Sequence, residues 1–146
     1  MNRKLRRWLL TGGLTLCLGL VLYGIYFTQV VNPRVVTELR RNPSGERAKQ
    51  VMVLTFLDGK VLPVNYLRET GLIYVGADFA WWKKFVGDGA AVEMLVQGHL
   101  LSGQAQVILD DPEYTKSIFS RLRPSTPEWL PNWLNGKLVV ITLDTP

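Results

Sequence analysis

From Trp8 to Val31 the chain reads WLLTGGLTLCLGLVLYGIYFTQVV, without one Asp, Glu, Lys, Arg or His. About 20 apolar residues, rising 1.5 Å each, cross the hydrocarbon of a bilayer. This run therefore predicts a transmembrane helix over 8–31, behind a basic flank at 1–7. Trp8 at one end and Tyr23, Tyr26 and Phe27 toward the other fit the two interfacial belts. Pro33 is expected to stop the helix, since it lacks the amide a helix interior needs. A cleaved signal peptide would have a core of about 7–15 residues and a small-residue exit. The exit here, QVVNPR, offers none, so the expectation is an uncleaved anchor.

Beyond the anchor the pattern changes twice. Residues 32–49 form a juxtamembrane segment. Pro33 to Arg41 predict a short amphipathic helix, with Val35, Val36 and Leu39 on one side and Arg34, Glu38, Arg40 and Arg41 on the other. Such a helix suits anionic headgroups. Asn42-Pro43-Ser44-Gly45-Glu46 is turn chemistry and marks the linker.

From residue 50 to 146 the dominant signal is β. Val51 to Leu57 and Lys60 to Leu67 predict two strands around Asp58-Gly59, the dipeptide of a type I′ hairpin. Pro63 makes the second an edge strand, or bulged, at that point. Leu72 to Ala77 predict a third strand, and Asp78 to Phe85 a short helix capped by Asp78. Ala91 to Gln97 and His99 to Leu109 predict two more strands about Gly98. A helix starting at Asp110-Asp111-Pro112-Glu113 runs to about Leu122, burying Tyr114, Ile118, Phe119 and Leu122. Pro124, Pro127 and Pro131 make a loop carrying Trp129 and Trp133, which are candidates to dip toward headgroups. Lys137 to Leu143 close the series. The order β-β-β-α-β-β-α-β, with short links, predicts a mainly β (α+β) fold: a small antiparallel barrel with two or three short helices closing its openings.

Charge changes this picture little. The chain carries 17 Lys and Arg against 12 acids, net +5. Arg3, Lys4, Arg6 and Arg7 precede the apolar run, so the rest is nearly neutral and no nucleic-acid partner is expected. The flanks of the run are similarly basic, so the positive-inside rule does not fix the orientation. Cys17, the one cysteine, lies inside the apolar run, which excludes an internal disulfide, and no metal centre is expected. Phosphate-loop, zinc-protease and nucleophile-elbow motifs are missing. His99 sits mid-strand beside no acid, and Asp110-Asp111 read as a helix start. The richest segment is Gly76 to Phe85: a strand end with small residues, then two indoles and two ammonium groups. Indole faces suit a planar ring and lysines suit phosphate. The same residues also suit an aromatic plug over the barrel mouth.

These pieces, in this order, resemble the deazaflavin-dependent nitroreductases of the flavin-reductase-like split β-barrels. Leu54-Thr55 followed by Pro63-Val64-Asn65-Tyr66-Leu67 is similar to the family's LT…PLxYL strand pair. Ile73 to Ala77 is similar to its third strand, which ends in an Ala-Ser pair at the coenzyme. Trp81-Trp82-Lys83-Lys84-Phe85 falls where the family has PAWYHNL. Val92 to Val107, Asp111 to Arg123 and Leu138 to Ile141 resemble its closing β-β-α-β. The resemblance implies a split-barrel oxidoreductase binding coenzyme F-420, with FMN or haem as the relatives' alternatives. It passes hydride to a lipophilic acceptor such as a quinone or nitro compound. In that reading Trp81 and Trp82 pack near the ring, and Asn65 and Gly76, Ala77 and Asp78 line the site. Lys60, Lys83 and Lys84 meet the anionic tail, and Tyr66 donates a proton. A cytoplasmic face and a homodimer or membrane-protein partner are further expectations. Two departures define an alternative. The family's GRKSG-like loop is cut to Leu57-Asp58-Gly59-Lys60, and its Ala-Ser pair is Ala77-Asp78. The alternative is a membrane-anchored split barrel that has lost its cofactor and works as a binding or assembly module.

Overall fold

The computed structural model describes residues 3–127, 129, 130 and 136–144. Its chain divides into two units, residues 1–37 and 38–146.

The first unit is helical. Helix α1 (Arg3–Tyr26) runs into a π-helical turn (Phe27–Val31) and then α2 (Asn32–Arg41). One helical path near the N-terminus, 10–41, is long and apolar enough to span a membrane. Its large apolar side chains, from Leu10 to Phe27, are exposed, and its hydroxyls are turned back onto the helix. Thr15 donates to the Thr11 carbonyl at 2.9 Å and Thr28 to that of Gly24 at 2.9 Å. Such back-bonding satisfies threonine hydroxyls within the helix. Pro33 does not stop the helix, contrary to the sequence expectation. It falls in the first turn of α2, where its missing N–H is not required. The π turn takes up the change of register, with the Asn32 N–H reaching the Phe27 carbonyl.

The second unit is a closed six-stranded antiparallel barrel in the order β1-β2-β3-β6-β5-β4. Its strands are β1 (Val51–Phe56), β2 (Val61–Glu69), β3 (Leu72–Ala77), β4 (Ala90–Val96), β5 (His99–Ile108) and β6 (Lys137–Leu143). Alternation builds the core, because successive strand residues face opposite sides. Met52, Leu54, Phe56, Ile73, Val75, Met94, Val139 and Ile141 fill the barrel. Tyr74 and Leu138 face outward under α3 (Pro112–Leu122), with Ile118 and Phe119. Asp111 caps α3 by accepting the Tyr114 N–H at 2.9 Å, and Pro112 takes the first turn.

Pro63 is accommodated where β2 is locally an edge. Residues 61–65 of β2 pair with β1, and 66–69 pair with β3, so no ladder bond is asked of the proline on its open side. The type I′ turn is elsewhere than expected. At Asp58-Gly59 only the glycine has positive φ (79°). The Gly59 N–H reaches the Phe56 carbonyl, and the Phe56 N–H reaches that of Lys60, which is a type I turn closed by a glycine bulge. The two-residue turn with both φ positive is Gln97-Gly98, at 48° and 82°. The expected helix over 78–85 is a 3-10 turn over Ala80–Phe85. Asp78 does not cap it: Phe79 holds the cap position without a side-chain bond.

The register fixes which elements share a barrel end. The β1–β2 hairpin, the end of β3, the 80–85 turn and the start of β6 lie together. The Gln97-Gly98 turn and the chain's entry into β1 lie at the other end.

Candidate functional site

The predicted site residues separate into three places. The first is the barrel end with the β1–β2 hairpin. Phe56, the last residue of β1, stacks on Phe85 with centroids 5.8 Å apart. Trp81 meets both edge-on, at 5.7 Å from Phe56 and 6.0 Å from Phe85. These three rings close the core at this end, with Trp81 half-buried. Trp82, partly buried, carries the Lys83 ammonium 5.9 Å from its centroid. Lys84 is ion-paired with Asp58 and lies 5.1 Å from the Phe56 centroid. Asp58 also accepts the Lys60 N–H at 3.1 Å. The Lys84 bond, then the Lys60 backbone, hold its carboxyl below the usual carboxylate range. The hairpin therefore brings Lys60 and Lys84 together, yet Asp58 already answers Lys84.

The second place is the outer face of β3. Asp78 is held by Arg123, Nη1 at 2.7 Å from Oδ1 and Nη2 at 2.9 Å from Oδ2. Nη2 also donates to the Gly76 carbonyl at 3.3 Å, and the guanidinium lies 5.3 Å from the Phe119 ring centroid. Gly76 is glycine because α3 leans on it: a Cβ there would sit 2.6 Å from Arg123 Nη2 and 2.9 Å from Phe119 Cε1. Gly76 and Asp78 thus serve the packing of α3. Ala77 points into the core, while Asn65 is exposed on β2.

Tyr66 stands apart from both. Its side chain is buried, and its hydroxyl donates to the Ala48 carbonyl at 3.0 Å, at the barrel end where the chain enters β1. Burial raises its pKa. It does not join Trp82 and the lysines.

Sequence reasoning missed a further place, a cleft of about 450 Å³ lined by α3, the end of β5 and the residues after it, Thr126, Pro127, Leu130 and the start of β6. Lys116, Arg123 and Lys137 line it, with Phe119 as an aromatic wall. The available signal was the seven-residue spacing of Lys116 and Arg123, which puts both on one helix face. Trp129 is exposed. Trp133 lies outside the described residues.

No protein-family model matches the sequence, and no curated protein matches it. Solved structures are similar to parts of this chain. A provisionally assigned pyridoxamine 5'-phosphate oxidase from Listeria innocua is 15% identical with a TM-score of 0.53, covering 66% of this chain and 85% of that one. An FAD-binding protein from Mesorhizobium loti is 15% identical with a TM-score of 0.39, covering 75% and 89%. The first likeness shows the fold alone: the second unit is a closed antiparallel barrel with the architecture of that protein.

Proposed function

We propose that the chain is a membrane-tethered split-barrel oxidoreductase that takes a flavin or deazaflavin coenzyme and delivers hydride to a lipophilic quinone or nitro acceptor. The observation that carries this reading is the barrel end. A partly exposed indole, Trp82, stands with the Lys83 ammonium above it, at the same end as Lys60 on its hairpin. An aromatic face beside cations fits a planar ring with an anionic tail. The coenzyme supplies the hydride chemistry, and the protein supplies orientation and charge. Trp82 would hold the ring, with Lys83 and Lys60 holding the tail. Trp81, Lys84, Gly76 and Asp78 do not fit that task, being committed to Phe56 and Phe85, to Asp58 and to Arg123. The apolar helical path over 10–41 supports a tether to the bilayer, and the reading puts the domain on the cytoplasmic face, where reduced coenzymes of this kind are made.

A second reading is the coenzyme-free binding or assembly module. The Lys84–Asp58 pair favours it, because that carboxylate also faces any anionic tail brought to the hairpin. One experiment separates the two. The full chain in detergent micelles is titrated with FMN, coenzyme F-420 and haem, following absorbance and Trp fluorescence. Saturable binding of a flavin or deazaflavin, weakened in Trp82→Ala and Lys83→Gln, supports the enzyme. A folded chain that binds none of them leaves the binding module.

A further inference from the structure

The α3 cleft shares no lining residue with the Trp82–Lys83 site and has its own chemistry. Its volume of about 450 Å³ falls within the range of small-molecule sites. Among the described residues, three cationic side chains line it and no carboxylate does. Asp110 and Glu113 flank Pro112 without lining the cleft, and two other acids near it are engaged. Asp111 accepts the Tyr114 N–H, and Asp78 is bound by the Arg123 fork. Among the described residues no carboxylate lies in salt-bridge range of Lys116 or Lys137. Two ammonium groups from different elements, one on α3 and one opening β6, thus border the same space. Arg123 positions this arrangement rather than closing it, since Asp78 and the Gly76 carbonyl fix its guanidinium. The remaining walls are apolar or aromatic: Leu109, Phe119, Pro127 and Leu130.

Two positive charges facing an apolar wall select an amphiphile whose charged end is compact and doubly negative. A carboxylate carries one charge, whereas a phosphate monoester carries nearly two at neutral pH and makes charge-assisted bonds to both lysines. We propose that this cleft binds a phosphate monoester carried on an apolar or aromatic body. The phosphate lies between Lys116 and Lys137, and the body lies against Phe119, Leu109 and Leu130. The monoester has two sources, a soluble phosphorylated compound or a monoester lipid headgroup drawn from the bilayer.

The test uses the full chain. In detergent micelles, phenyl phosphate and inorganic phosphate are titrated by calorimetry against wild type, Lys116→Gln and Lys137→Gln. Phenyl phosphate should bind about tenfold tighter than inorganic phosphate, and each substitution should weaken it about tenfold. In nanodiscs of phosphatidic acid or of phosphatidylcholine, amine-labelling rates are read by mass spectrometry. Phosphatidic acid slowing Lys116 and Lys137 more than Lys83 identifies the lipid as a source. Labelling unaffected by the lipid, with phenyl phosphate still bound through both lysines, identifies a soluble ligand. The proposal is overturned if phenyl phosphate binds wild type and both variants equally, or binds none while phosphatidic acid leaves the labelling unchanged. Both lysines lie at the surface of the cleft, so the variants should fold as wild type, which circular dichroism checks. FMN is itself a phosphate monoester on an aromatic body, so it is titrated alongside: FMN binding weakened by Trp82→Ala but not by Lys116→Gln or Lys137→Gln keeps the two sites, and their two readings, apart.

Discussion

Gly76→Ala should destabilise the barrel domain, because the added methyl lands in a filled space. Its Cβ would lie 2.6 Å from Arg123 Nη2 and 2.9 Å from both Arg123 Cζ and Phe119 Cε1, where carbon contacts normally settle near 3.5–4.0 Å. Neither neighbour is free to retreat. The guanidinium is pinned by two bonds to Asp78, and the Phe119 ring is buried among Tyr74, Ile118 and Leu138. Overpacking of this kind costs about 1–3 kcal/mol. Replacing glycine in a strand returns about 0.5–1 kcal/mol of chain entropy. The net is a loss of about 0–2.5 kcal/mol, centred on about 1.25 kcal/mol, which for a domain near 100 residues lowers Tm by roughly 5–10 °C. Thermal unfolding followed by near-ultraviolet circular dichroism reads this directly. Arg123→Ala in the same background should recover part of the loss, as expected for residues sharing one space. A Gly76→Ala chain as stable as wild type would refute the claim that α3 is seated through this glycine.

Other expectations follow from particular contacts. Tyr66→Phe removes the bond to the Ala48 carbonyl and should cost about 1 kcal/mol, with catalytic turnover unaffected; turnover abolished at full stability would restore Tyr66 as a proton donor. Tyr74 is buried, and its hydrogen bond with Tyr114 at 3.1 Å, then burial, push its pKa up to about 12. The fold favours its neutral form, so that stabilisation is whole below pH 10, the unfolded value, and is lost as pH rises from 10 through 12. Denaturant midpoints should fall across that window, and less so in Tyr74→Phe; equal slopes would contradict this. Asp58→Asn frees the Lys84 ammonium at an exposed site, so the unfolding midpoint should hardly move while affinity for FMN or coenzyme F-420 rises; unchanged affinity would exclude the hairpin from the tail's path. Leu54→Ala empties a fully buried core position and should cost about 2–5 kcal/mol by chemical denaturation.

The sequence carried the fold further than it carried the site. Alternation and turn residues are local signals, and they located all six strands to within two residues. The third and sixth coincide with β3 and β6. Local signals failed where a distant partner decides the outcome. Asp78 looks like a helix cap until Arg123, 45 residues later, claims it. Lys84 looks like a phosphate ligand until Asp58, 26 residues earlier, pairs with it. Pro33 looks like a helix stop because the sequence cannot announce a π turn that absorbs it. Tyr66 and Gly76 follow each other in the resemblance, yet pleating sends one into the core and leaves the other under α3. The α3 cleft stayed hidden because its lysines come from two elements that only the barrel closure brings together.

The central claim, that a flavin-type coenzyme sits at the barrel end on Trp82 and Lys83, is tested most directly by hydrogen exchange of the full chain with and without saturating FMN or coenzyme F-420. The account predicts added protection over residues 57–60 and 80–86, and little change over 66–69. Protection over neither segment, or only over α3 and the cleft beside it, would contradict it.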